Sequence, residues 1–270
     1  MNHIDPAIYA VASRAVDIAD AIFIEAFGRD LQRRPKGDRD YALSVDDAIQ
    51  SAVGAFLSQE TPEIAFLAEE DDTSHDSGSL IWSLDPLDGT VNYSAHLPLC
   101  GISLALIDEY APLLGVVSLP ALGERYESCQ DGSARRNGAV LRVQETQRLQ
   151  DAIVVVGDFA IGKGSHEKNV VRTKLLGLLS DRALRVRMLG SAAMDLAWLA
   201  SGAVHAAITL WNNPWDHAAG AAIARSAGAT IGDAEGASYR TNSDEIISAA
   251  SPELFLELCK LIRFARSEQP

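Results

Sequence analysis

Trp82-Ser83-Leu84-Asp85-Pro86-Leu87-Asp88-Gly89-Thr90-Val91-Asn92-Tyr93 places two carboxylates and a glycine turn directly after an apolar strand. Pro86 fixes its own φ and biases Asp85 towards an extended conformation, so the segment predicts neither regular helix nor regular strand. In such a segment the side chains of Asp85 and Asp88 can converge. Hard divalent cations such as Mg2+ take oxygen ligands, commonly one or two carboxylates together with phosphate oxygens and water. A glycine followed by a helix start, as at Gly89-Thr90, offers backbone N–H groups that suit a phosphate. The same residues also fit an Asp-Pro/Asp-Gly turn that closes a hairpin. By themselves they leave both readings open.

Outward from this stretch, short aliphatic runs at 64–68, 80–84, 101–107 and 113–119, separated by Gly, Pro, Asp and Ser, predict strands of a central sheet. Upstream, Ile8, Val11, Ala15, Ile18, Ala19 and Ile22 recur at helical spacing, which predicts a helix from about Asp5 to Phe27. Asp5 suits its cap, Pro6 its first turn and Gly28 its stop. Residues 28–43 are polar and without periodicity, and read as a mobile loop. A second helix is expected from Ser44 to about Leu57, with Ser44 as N-cap and Asp47 as the acid of a capping box. Downstream, strands at 152–156, 183–189, 204–210 and 246–250 alternate with helices at 165–179, 191–201, 216–227 and 252–266. Such alternation predicts layered α and β structure. No internal repeat or low-complexity segment is evident.

Composition is that of an ordinary globular protein. The chain has 270 residues, 47% of them hydrophobic, enough for a large core in one unit or two closely packed halves. No basic, apolar leader opens the sequence, and no run approaches the roughly 20 apolar residues of a membrane span, so a cytoplasmic location is expected. Cys100, Cys129 and Cys259 are odd in number and widely spaced, as reduced thiols are. The net charge of −14 disfavours nucleic acid and anionic small molecules, unless bound cations reverse the field locally. Arg29, Arg33, Arg34 and Lys36 form a short basic patch on the predicted loop.

Further acids stand in suggestive settings. In chain order come Ser44-x-x-Asp47, Glu69-Glu70, Asp85-Pro86-Leu87-Asp88-Gly89-Thr90, and Trp215-Asp216 followed by Ala227-Gly228. Together these resemble the motifs of the inositol monophosphatase family, Mg2+-dependent and often lithium-sensitive sugar-phosphate phosphatases related to fructose-1,6-bisphosphatase. Several ordered motifs are far more specific than any one alone. The resemblance spans residues from about 10 to about 260. It implies an α/β (α+β) fold, a five-layer α/β/α/β/α sandwich of the sugar phosphatase type. The chain would form one unit over 1–270, with halves meeting near residue 145, the active site between them, and a homodimer as the assembly.

Position by position, the resemblance assigns two or three Mg2+ ions to Glu69, Asp85, Asp88, Asp216 and the carbonyl of Leu87. Glu69, and Thr90 with Asp47, would orient and deprotonate the attacking water, and the amides of Gly89 and Thr90 would hold phosphate oxygens. Gly190, Ser191 and Ala192 match a substrate-contacting turn, Asp88 and Asp216 lie near the sugar, and Lys36 approaches the phosphate or a third metal. Glu70 is expected to act indirectly, and Asp71 and Asp72 to be solvated. Trp215 should pack beneath the site, with Trp82 and Tyr93 in the core. His217 is expected to be structural or exposed and to point away from the ligands.

The sequence departs from the family pattern at Ala68 and Ala229, where glycine is usual, and in a short segment between Glu70 and Asp85. Thr209, seven residues before Asp216, stands where members acting on inositol phosphates often place a Glu. A shorter, uncharged acceptor favours a different alcohol or a looser set of polyol phosphates. Inositol 1-phosphate leads as substrate, with histidinol phosphate, fructose 1,6-bisphosphate and adenosine 3',5'-bisphosphate as alternatives. No basic pocket for a second phosphate is evident. A regulatory protein that retains the fold for binding a partner is the reading from another class.

Overall fold

The computed structural model describes residues 4–37, 39–69, 80–211 and 213–267, so Glu70, Asp71 and Asp72 lie outside the described residues. Helix α1 (Pro6–Ala26) begins where the Asp5 carboxylate accepts the Ala7 N–H at 2.9 Å. It ends just before Gly28, whose φ of +84° takes the chain away from the helix axis.

Two expectations about the next segment need correction. Residues 28–43 contain a hairpin, β1 (Arg33–Gly37) paired antiparallel with β2 (Asp40–Leu43), where a mobile loop was expected. Its strands are short, charged and mostly exposed, so they carry no inside–outside alternation to read. Helix α2 (Ser44–Glu60) is capped from Leu43, because Asp46 accepts the Leu43 N–H at 3.0 Å. Asp46 therefore plays the part expected of Asp47, and Ser44 is the first helical residue.

The remaining strands form two sheets. In the first, β3 (Ala65–Ala68), β4 (Leu80–Asp88), β5 (Gly101–Asp108), β6 (Ala111–Leu119), β7 (Glu124–Ser128), β8 (Ala134–Arg136) and β9 (Ala139–Leu141) lie side by side in chain order. Only the β3–β4 pair is parallel. In the second, β10 (Ile153–Val156), β11 (Arg185–Arg187), β12 (Ala206–Leu210), β13 (Thr230–Gly232) and β14 (Glu245–Ala249) are ordered β11-β10-β12-β14-β13. Strands β11, β10 and β12 run parallel, and β14 is antiparallel to its neighbours.

Three apolar clusters order the layers. Val16 of α1 and Ile49 of α2 pack with Leu84, Ile102 and Leu104 on one face of the first sheet. Ala105 and Val117, from the opposite face, meet Met194 of α5 (Ala192–Ala200), Ile223 of α6 (Pro214–Ser226) and Ala207 of the second sheet. Val154, Val156 and Ile208 turn the other way, to Leu175 of α4 (Ser165–Arg182) and Leu258 of α7 (Pro252–Ser267). The result is α1/α2, sheet, α5/α6, sheet, α4/α7, the expected five-layer sandwich. Both faces of both sheets are covered, which is why their strands read as nearly continuous apolar runs.

The middle layer is thin because its contact residues are small. A Cβ built on Gly115 of β6 would lie 2.2 Å from the Ala219 carbonyl oxygen of α6, and one on Gly220 would lie 2.6 Å from Leu196 Cβ of α5. Backbone occupies the first of these spaces, so no rotamer change relieves the overlap. Gly115→Ala is expected to destabilise the protein by about 1–3 kcal/mol, the usual range for overpacking. The urea midpoint measures it, and an unchanged midpoint would show that the α6–β6 spacing is slack.

Candidate active site

In a regular strand, residues three apart point to opposite faces, which would separate Asp85 from Asp88. The β4–β5 ladder avoids this. It pairs Asp85 with Ser103 and then Asp88 with Gly101, so three steps on β4 oppose two on β5. The extra residue is a β-bulge at Pro86-Leu87, and it returns both carboxylates to one side of the sheet. The Asp85 carboxylate accepts the Leu87 N–H at 2.9 Å, which holds the bulge in place. Gly89 follows with φ +87°, and α3 (Thr90–Ser94) is a single short turn of helix.

Asp88 is then fastened across the molecule. Its Oδ2 accepts the Ser191 hydroxyl at 2.7 Å and the Ala193 N–H at 2.5 Å, both at the start of α5. Ser191 in turn accepts the Met194 N–H, capping the helix. Asp216 enters from the first turn of α6, and Glu69 from the end of β3.

These groups surround a cavity of about 220 Å3, together with Leu87, Gly89, Thr90, Gly157, Asp158, Gly190, Ala192, Asp195, Thr209 and His217. Two larger cavities of about 620 Å3 each lie by Trp211, but neither gathers the chemistry-bearing motifs. Expected metal ligands and substrate contacts therefore meet in one place. Thr90 donates its hydroxyl to the Leu87 carbonyl at 3.0 Å. Lys36, on β1, reaches in to contact Glu69 Oε1 at 2.7 Å. Asp47 does not line the cavity; its side chain is 54% exposed and accepts from Arg34 at 2.9 Å.

Electrostatics within the cavity are dominated by burial of like charges. Burial, then Glu69, Asp88 and Asp216, push the Asp85 carboxyl well above the usual range. Asp216 is raised by burial and by Asp88 and Glu69. Burial lifts Asp88 to about 6, against the hydrogen bonds from α5 that favour its charged form.

Tested as a metal site, the donor set fits a hard cation: four carboxylates and a carbonyl, all oxygen, with mutual repulsion that a divalent ion would relieve. Among the described residues no three His, Cys, Asp or Glu groups are already drawn into a tight cluster. The protein's own donors hold Asp85, Asp88 and Glu69, and ion binding has to compete with them.

His217 departs from expectation in one respect. It is fully buried, 1% exposed, as the structural one of the two anticipated positions requires, but it lines the cavity where it was expected to point away from the ligands. Burial pushes its imidazole down to about 4, so it is neutral. Asp158 and Asp195 were missed. Asp158 follows Gly157 at the end of an apolar strand, the same syntax as Leu84-Asp85, and Asp195 stands one helical turn beyond Ser191.

Oxygen donors from the ends of sheets and helices thus gather around one small opening. The family model described as "Inositol monophosphatase family" matches residues 5–267. An inositol-1-monophosphatase, ImpA of Mycolicibacterium smegmatis, is 33% identical over 266 residues, 96% of each chain. A protein of Thermotoga maritima named fructose-1,6-bisphosphatase/inositol-1-monophosphatase is 32% identical over 74% of each chain. The solved structure of extragenic suppressor protein suhB from Bartonella henselae superposes with a TM-score of 0.86 at 26% identity, covering 95% of this chain and 98% of that one. The chain belongs to the inositol monophosphatase family, a family of phosphoric monoester hydrolases.

A carboxyl whose pKa is raised on folding contributes stability that is fully present below its unfolded value, near 4, and is lost as pH rises through the folded value. In chelator, Asp88 therefore makes the thermal midpoint fall as pH rises from about 4 through about 6. Asp88→Asn is expected to flatten this decline, and an identical slope in the variant would refute it. At pH 7.5, saturating Mg2+ should raise the wild-type midpoint, because an ion that binds only the folded state stabilises it. That increase should disappear in Asp85→Asn.

Proposed function

We propose that the protein is a Mg2+-dependent phosphomonoesterase acting on inositol 1-phosphate or a related small polyol or sugar phosphate. The observation that carries this reading is the convergence of Glu69, Asp85, Asp88 and Asp216 on one cavity from three separate places in the fold, the end of β3, β4 and α6. These four acids and the Leu87 carbonyl would hold Mg2+, which would supply charge neutralisation for the phosphate and an acidified water. The chain's own groups do the rest. Glu69 accepts the water's proton, once Lys36 turns from Glu69 to the phosphate. Thr90, anchored on Leu87, orients that water, and Asp47 joins the relay after releasing Arg34. Gly89 and Thr90 present backbone N–H groups to phosphate oxygens. Asp88, fixed by α5, aligns the ester with the Gly190-Ser191-Ala192 turn. Phosphoryl transfer needs mainly such positioning and charge compensation.

Homodimeric assembly, a cytoplasmic location and inhibition by lithium belong to the same proposal and rest on family membership. Among the described residues no helix is long and apolar enough to cross a membrane.

Inorganic phosphate release from inositol 1-phosphate and histidinol phosphate, with Mg2+ and with chelator, tests the reading. Mg2+-dependent turnover of a polyol phosphate is expected, falling at least about 100-fold in Asp85→Asn, beyond the loss typical of residues that merely support a metal ligand. Release that persists in chelator, or in the variant, would count against it. No release from any ester would move the reading towards a partner-binding role.

A further inference from the structure

The cavity has a second side, away from the four acids, built from the carboxyl ends of β10 and β12. These strands run parallel, and the Gly157 N–H donates to the Ile208 carbonyl at 2.9 Å, so the ladder delivers Gly157 beside Thr209. A Cβ on Gly157 would stand 3.3 Å from Thr209 Oγ1, which shows how closely the Thr209 side chain covers Gly157. The next residue, Asp158, swings its carboxylate over the substrate turn: a Cβ on Gly190 would lie 3.3 Å from Asp158 Oδ2. Asp158 is exposed, lines the cavity, and has no hydrogen-bond donor among the described residues. Carboxyl ends of parallel strands are where open α/β sheets bind ligands.

Resting on the phosphatase reading above, we propose that Asp158 is a specificity residue that accepts hydrogen bonds from hydroxyl groups of the alcohol portion of the ester. Thr209 beside it contributes only a hydroxyl, and Gly157 between them leaves the space for a ring or chain substituent. No lysine or arginine is among the described residues lining the cavity. Arg172 senses the charge of Asp158, but its guanidinium is engaged by Leu210 O at 3.0 Å and faces Trp211. A second phosphate at this position would therefore meet a carboxylate with no compensating cation from the cavity wall. The preferred substrate carries hydroxyls there and a single phosphate.

The experiment compares kcat and KM, in Mg2+, for wild type, Asp158→Ala and Asp158→Asn. The esters are inositol 1-phosphate, fructose 1,6-bisphosphate and p-nitrophenyl phosphate, which has no hydroxyl. Asp158→Ala should lose roughly 10- to 100-fold in kcat/KM on inositol 1-phosphate, mainly through KM, the size expected for one hydrogen bond to a charged group. It should stay within about twofold of wild type on p-nitrophenyl phosphate, gain on the bisphosphate relative to inositol 1-phosphate, and keep its thermal midpoint because the side chain is exposed. Asp158→Asn, which keeps an acceptor oxygen, should retain part of the activity. Equal losses on all three esters, or no loss on any, would overturn the assignment while leaving the phosphatase reading intact. Absence of Mg2+-dependent release by wild type from every ester would overturn both.

Discussion

The thickness of the middle helical layer governs the molecule. Asp216 belongs to a helix that packs between the two sheets, while Asp85 and Asp88 belong to the first sheet. The three meet because α6 comes down onto β6 at Gly115 with no side chain intervening, and closes on the Leu196 side chain of α5 at Gly220. The run His217-Ala218-Ala219-Gly220-Ala221-Ala222 supplies a helix narrow enough for this. Pro214 at its first turn sets where the helix starts, and so where Asp216 stands. Site geometry is in this sense a product of packing: small residues bring two backbones together, and the acids ride on them.

Packing brings the acids together against their electrostatic preference. Carboxylates gathered in one desolvated cavity raise one another's pKa. The chain holds them in place with specific tethers. The bulge and the Leu87 amide fix Asp85, and Ser191 and Ala193 fix Asp88 from a different sheet-helix unit. The Asp88–Ser191 bond is therefore both a structural cross-link and a way of preserving a charged form that burial opposes. Lys36 on Glu69 supplies positive charge from the hairpin.

Much of this was legible from residue order. The strands and helices with strong periodicity were predicted within a few residues, because both sheets are covered on both faces and their apolar runs are long. Strands β7, β8, β9 and β13 were not, since three to five residues with mixed polarity do not establish a period. The β1–β2 hairpin was hidden for the same reason. Asp46 and Asp47 illustrate a finer limit: two adjacent acids satisfy the same capping pattern, and a one-residue shift in the helix start exchanges their roles. Asp158 and Asp195 were overlooked because neither lies in a motif. Each is defined by what the fold sets opposite it, Gly190 for Asp158 and the buried floor of the cavity for Asp195.

The acidic character of the whole chain takes on a different meaning at the two ends of the cavity. Deeper in, Asp85 is buried and Asp216 partly so, and desolvation with neighbouring carboxylates makes both resist ionisation. At the mouth, Asp158 is exposed to water. Under the proposed function, a phosphate would bind where a divalent cation reverses the field, and the outer wall would accept hydrogen-bond donors. An ester that is anionic at one end and hydroxylated at the other matches both conditions at once. A net charge of −14 is then compatible with an anionic substrate, because the field that matters is local, and its sign alternates over the length of one small molecule.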